Sequence, residues 1–257
     1  MKHVILAIVL SLAGRVWADD KEDLAAAAKK TAEAKSYSFK GETKMEMPNF
    51  GGQGGGPQDP AKFEGKHEDG VGTHILTDQQ EIVKIGAKTA TRPRAEWRVT
   101  DETQQGGGQG GGRGGGFRGM GGMMGRGSTK APHEDFKDFG SKLSKASKLD
   151  RKETVGEAEC DVYSIELTED ATKAMLPGGG MFGRMGQNAD ITYTGTGKVF
   201  VADGKIVKYV MKAVVAASIQ GQDLEFSTER TTTIYDVDKT KVEIPADAKK
   251  AIDKSSD

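Results

Sequence analysis

The chain has 257 residues, with 37 basic and 38 acidic side chains, 36 glycines and a single cysteine. So even a balance excludes a strongly basic nucleic-acid surface for the chain as a whole. The lone Cys160 excludes an internal disulfide framework, and the length suits one large β domain or two small ones.

Residues 1–18 follow the three-part pattern of a secretory signal peptide. Lys2 and His3 give a basic start, Val4 to Gly14 an apolar run, and Val16-Trp17-Ala18 a cut site, so cleavage is expected between Ala18 and Asp19. The apolar run is too short to span a bilayer, which takes roughly 20 residues. No cysteine stands near the cut, so no lipid modification is expected there. The mature chain, 19–257, is expected to be a soluble periplasmic or secreted domain. Loss of Lys2 and Arg15 with the leader gives it a net charge of about −3.

Lys21 to Lys35 reads as a helix with Leu24, Ala28 and Thr31 near one face. Tyr37 to Met47 reads as a strand. Tyr37, Phe39, Gly41, Thr43, Met45 and Met47 alternate with charged or polar residues, so one face is apolar or small and the other solvated. Ala61–His67 and Val71–Thr77 form an expected hairpin around Asp69-Gly70, followed by short strands at Gln80–Ile85 and Glu96–Thr100. Pro132 to Ala146 reads as a helix striped by Phe136, Phe139, Leu143 and Ala146. Strands follow at Lys148–Thr154 and Ala158–Leu167, where Cys160 reads as a small buried hydrophobe. Thr168 is placed to cap a short helix ending near Leu176.

Three long strands then run from Asp190 to Ala202, Lys205 to Gln220 and Leu224 to Val237, the first two joined by Asp203-Gly204. On the middle strand Val207, Tyr209, Met211, Ala213, Val215, Ala217 and Ile219 fall on one face, and on the first Gly195 and Gly197 ease a bend. Lys241–Ile244 reads as a last short strand and Pro245–Ile252 as a closing helix. Three glycine-rich tracts, at 49–58, 104–129 and 177–189, lack periodicity and are expected to be disordered insertions within one domain.

The sequence carries no nucleophile elbow, zinc-protease helix or phosphate-binding loop, so no catalytic machinery, cofactor or metal is expected. His67 and His74 flank the Asp69-Gly70 turn and, facing each other, would offer two ligands beside Glu68 or Asp69. A third fixed ligand is missing, so solvated strand residues are the expectation. Met120, Met123, Met124, Met181 and Met185 have thioethers suited to Cu(I), but their tracts carry no histidine. Arg113, Arg118 and Arg126 punctuate a tract free of acidic residues around Phe117. In an exported protein such a tract is expected to touch anionic envelope surfaces at most, and not nucleic acid.

The order of elements, from the first helix and Tyr37–Met47 through the long hairpin strands from Gly195 to the closing helix, resembles the LolA/LolB-like superfamily of periplasmic lipoprotein carriers, which includes the LppX/LprG-type lipid-binding proteins. The resemblance implies a mainly β (α+β) fold: a large curved antiparallel sheet forming a half-open barrel, with an N-terminal helix and an internal helical insertion covering its concave face. It also implies a non-enzymatic domain binding a lipid or lipidated protein in a hydrophobic cavity, and the domain is expected to be a monomer. Phe39, Met45, Met47, Tyr209, Met211, Ala213, Val215 and Phe226 are the side chains expected to line that cavity. The alternative is a scaffold or sensor whose face is filled by its own helices and whose glycine-rich loops meet protein partners.

Overall fold

The structure, a computed structural model, describes residues 12–47, 56–93, 95–101, 130–176, 190–219 and 222–255. The three glycine-rich tracts, with their methionines and arginines, lie almost wholly outside these residues.

Helix α1 (Leu12–Ala32) leads into β1 (Ser36–Met47), β2 (Gly56–Pro57), β3 (Ala61–Glu68), β4 (Gly72–Thr77), β5 (Glu81–Ile85), β6 (Lys88–Arg92) and β7 (Arg98–Asp101). Two short helices, α2 (Pro132–Phe136) and α3 (Phe139–Lys142), precede β8 (Leu143–Val155) and β9 (Ala158–Leu167). Then come α4 (Glu169–Met175), β10 (Asp190–Ala202), β11 (Lys205–Ile219), β12 (Gln222–Tyr235) and α5 (Ala246–Lys254). One antiparallel sheet takes in every strand among the described residues, in the order β7-β6-β5-β4-β3-β1-β12-β11-β10-β9-β8, with β2 paired to β1. It is not closed: β7 and β8 are its two edges. This is the curved, half-open, mainly β architecture with helices on its concave side.

The first and last long strands meet at the centre. β1 pairs with β12 from Ser38↔Tyr235 to Glu46↔Ser227, and β12 pairs with β11 from Lys208↔Thr233 to Ile219↔Gln222. A tight turn sets the register of the neighbouring pair, β10 with β11, which ends at Ala202↔Lys205. Asp203 and Gly204 both have positive φ, 51° and 70°, the conformation that a two-residue hairpin turn needs.

The main core fills one end of the concave face. Tyr37, Phe39, Phe63, Ile75, Ile82, Val199, Ile206 and Tyr209 rise from the sheet to meet Leu24, Ala27 and Ala28 of α1, Phe136 of α2 and Phe139 of α3. Thr31 fixes α1 on β11 by accepting a hydrogen bond from the Ile206 amide at 2.8 Å. β5 is buried on both sides, Ile82 toward this core and Val83 toward Ala248 and Ile252 of α5. Cys160 is buried with Val162 and Phe200 in a small cluster on the outer face.

Five local expectations are corrected. The helix expected over Pro132–Ala146 is two short helices and the start of β8. Asp138, at φ 54°, breaks it, and a register shift between Leu143 and Lys145 lets Leu143 and Ala146 both point inward. That bulge gives a strand the three-residue spacing of a helix. Val207 also leaves the inner face. The register shift between Phe200 and Val201 turns Ile206 inward and Val207 to the outer cluster. Lys241–Ile244 is irregular and not a strand; Glu68 Oε2 accepts the Val242 amide at 2.8 Å, replacing a ladder bond. In the first glycine tract, Gly56 and Pro57 pair with Met47 and Glu46 as β2. α1 also starts earlier than expected and runs through the expected cut after Ala18.

Candidate functional site

The concave face of β1, β12, β11 and β10 is built in cross-strand rows, because side chains alternate across each strand. The row Gly41–Thr232–Tyr209–Val199 lies under the main core. Next comes Thr43–Arg230–Met211–Gly197, then Met45–Thr228–Ala213–Gly195. Beyond these lie Phe226–Val215–Tyr193 and Leu224–Ala217–Ile191, which reach the rim.

The eight cavity candidates therefore share one face, but they divide between its two ends. Phe39, Tyr209 and Met211 belong to the main core. Ala213 and Val215 are fully buried beside Leu176, in a small separate cluster flanked by Met175, Ile191, Tyr193 and Phe226. Met45, Met47 and Phe226 stay half-buried toward the rim. α4 covers part of this end. Its N-cap forms as the sequence predicts, with Thr168 Oγ1 accepting the Ala171 amide at 3.3 Å. Gly195 makes its close approach possible, since a Cβ there would collide with Thr172 Oγ1 and Leu167.

A polar network, which sequence reading missed, separates the two ends. Arg230 is only 8 % exposed. Its Nη1 lies 3.1 Å from Asp135 Oδ2, its Nη2 donates to the Lys130 carbonyl at 2.6 Å, and its guanidinium lies 4.9 Å from the Phe63 ring centroid. Tyr209 donates its hydroxyl to the same Asp135 oxygen at 2.7 Å. Burial and the Asp135 charge push the Tyr209 phenol well up, so it stays a neutral donor. Three atoms of this zone remain without a partner although buried: Arg230 Nε, Thr43 Oγ1 and Thr232 Oγ1. A buried polar group left unpaired costs about 1–3 kcal/mol.

α2 holds that zone in place through several side chains. Asp135 meets Arg230, Glu134 receives Lys84 Nζ at 2.6 Å, and Phe136 packs edge-on against Tyr209. His133 reaches Tyr37, with its Nδ1 2.6 Å from the hydroxyl, and stacks on His67 at 4.1 Å between centroids. Burial and the neighbouring His133 push His67 down to about 4, and burial lowers His133 as well. His67 and His74 do not face each other. Thr73 pairs with His67 on one side of the hairpin, and His74 turns to the other, 2.8 Å from Glu81. Among the described residues no group of three or more potential ligands converges to hold a metal ion. No described helix is long and apolar enough to cross a membrane.

Solved structures to which the chain is similar include the following three. LprF from Mycobacterium bovis is similar at 8 % identity and a TM-score of 0.46, covering 90 % of this chain and 97 % of that one. The Mycobacterium tuberculosis lipoprotein LppX is similar at 8 % identity and a TM-score of 0.47, covering 89 % and 99 %. A DUF1329 family protein from Desulfovibrio piger shows 12 % identity and a TM-score of 0.30, covering 88 % and 94 %. No family model and no curated protein matches the sequence.

Proposed function

We propose that this protein is an exported, non-enzymatic binder of acyl lipids that holds its ligand along the rim half of the concave face. One observation carries the reading. The apolar face continues for several rows beyond the helices that fill the closed end, and its large side chains there, Met45, Met47, Tyr193 and Phe226, stay half-buried. Flexible thioethers and aromatic rings suit chains of varied shape, and burying them gains about 0.8 kcal/mol per CH₂ removed from water. From Arg230 to Leu224 the strand rises about 20 Å at its usual 3.4 Å per residue, room for a long acyl chain laid along it. Lipid carriage in the cell envelope, including carriage of a lipidated protein, fits the expected leader and the architecture.

The filled-scaffold alternative draws support from Ala213 and Val215, which are fully buried beside Leu176. Mass spectrometry of an organic extract of the protein purified from envelope fractions separates the two. Stoichiometric acyl lipid supports the binder. Its absence, together with no uptake of an added acyl probe, favours the scaffold.

A further inference from the structure

We infer that Thr43, Arg230 and Thr232 form the head-group end of the lipid site and take an uncharged, oxygen-bearing head, such as the ester carbonyl of a glycerolipid. The inference rests on the lipid-binding reading above and deepens it. Thr43 stands directly across from Arg230 on β1, and Thr232 lies two residues along β12 on the same inner face. Thr43, Arg230 and Thr232 are 4 %, 8 % and 0 % exposed, and Thr43 Oγ1, Arg230 Nε and Thr232 Oγ1 all lack a partner. An N–H offers a donor, and each hydroxyl offers a donor and acceptor sites. A ligand oxygen placed among them answers a need that the protein leaves open.

The position suits a head rather than a tail. On one side Tyr209 and Phe63, in the same row as Thr232, belong to the main core. On the other, Met45, Ala213 and Val215 begin the apolar rows that run to the rim. A ligand anchored here has only one direction in which to lay its chain.

Charge decides the class of head. Arg230 is already neutralised by Asp135 at 3.1 Å, and the nearby Glu134 is matched by Lys84 at 2.6 Å. A free carboxylate would add an uncompensated negative charge beside Asp135 in a buried setting, which is strongly unfavourable. An ester carbonyl or alcohol accepts from Arg230 Nε–H and exchanges hydrogen bonds with the threonines without disturbing the balance.

The test compares three probes on the full mature chain: 1-monooleoylglycerol, oleate at pH 8, and 1-dodecylpyrene, which has a chain and no oxygen. The expected order places 1-monooleoylglycerol about tenfold tighter than oleate, one power of ten in Kd. The double variant Thr43→Val, Thr232→Val removes the two unpaired hydroxyls, so the ligand-free protein should melt higher. The same variant should bind 1-monooleoylglycerol about tenfold more weakly and 1-dodecylpyrene unchanged. Unaltered 1-monooleoylglycerol affinity in the variant, with 1-dodecylpyrene still bound, would overturn the anchor and leave the lipid reading standing. Tighter binding of oleate than of the ester would overturn the charge argument. No saturable binding of any of the probes would overturn the lipid reading itself.

Discussion

The two ends of the concave face use the same four strands and the same alternation of side chains, yet they are covered differently. At the closed end Tyr37, Phe39, Phe63 and Tyr209 meet three helices, and almost nothing apolar is left open. At the rim end the buried apolar cluster shrinks to Leu176, Ala213 and Val215, with larger residues half-buried around it. Strand pattern alone therefore does not make a core. What covers a face decides whether it stabilises the fold or stays available to a ligand.

The sharpest way to test that difference is to cut matching side chains at each end. Phe39→Ala removes a ring buried among helices and should cost about 3–5 kcal/mol in urea unfolding. Met47→Ala at the rim should cost under about 1 kcal/mol and weaken lipid uptake. Equal costs at the two ends would erase the distinction. At the boundary, Arg230→Ala strands the Asp135 carboxylate in a buried site and should cost about 3 kcal/mol or more. The double variant Arg230→Met, Asp135→Leu should recover most of that loss, and a double-mutant cycle with no coupling would contradict the network. Ala213→Trp fills the space below Leu176. A fully packed site loses typically 1–3 kcal/mol on overfilling, whereas a ligand site should lose about 1 kcal/mol or less while uptake is abolished.

A further expected effect is on pH dependence, and it belongs to the closed end. His67 sits at about 4 in the fold against 6.5 ordinarily, because burial and His133 disfavour its charged form. The unfolded chain therefore takes up the proton first. The contribution of neutral His67 to stability is whole above about pH 6.5 and is lost as pH falls toward 4. Thermal midpoints should drop over that window, and His67→Gln should flatten the drop. An unchanged slope in the variant would show that the stacked pair with His133 contributes nothing.

Much of this organisation was legible in the sequence. The Asp203-Gly204 turn, the alternation in β1 and the long strands from Asp190 to Tyr235 follow from local rules, and the structure keeps them. What was not legible came from bulges and from long-range pairs. The inward spacing of Leu143 and Ala146 imitated a helix because one residue of β8 is left out of register. The bulge opposite Phe200 moved Val207 off the face to which simple alternation assigned it. Arg230 sits in a polar run, Thr228 to Thr233, within the third long strand, and only Asp135, almost a hundred residues away, shows why Arg230 is buried. His133 was equally hidden, since its partners Tyr37 and His67 come from the other side of the chain. The cavity candidates share a face, as expected from alternation. Their division between core and rim depends on α1–α4, whose docking positions no local pattern encodes.

The most direct test of the account is to find where a bound lipid lies. A 1-monoacylglycerol with a photoactivatable diazirine near the end of its acyl chain, irradiated on the purified protein and mapped by peptide mass spectrometry, reports that position. The account predicts adducts on the rim rows, at Met45, Met47, Val215 or Phe226, that unlabelled 1-monooleoylglycerol competes away. Adducts confined to the outer face, around Phe200 and Lys208, or labelling that no competitor reduces, would contradict it.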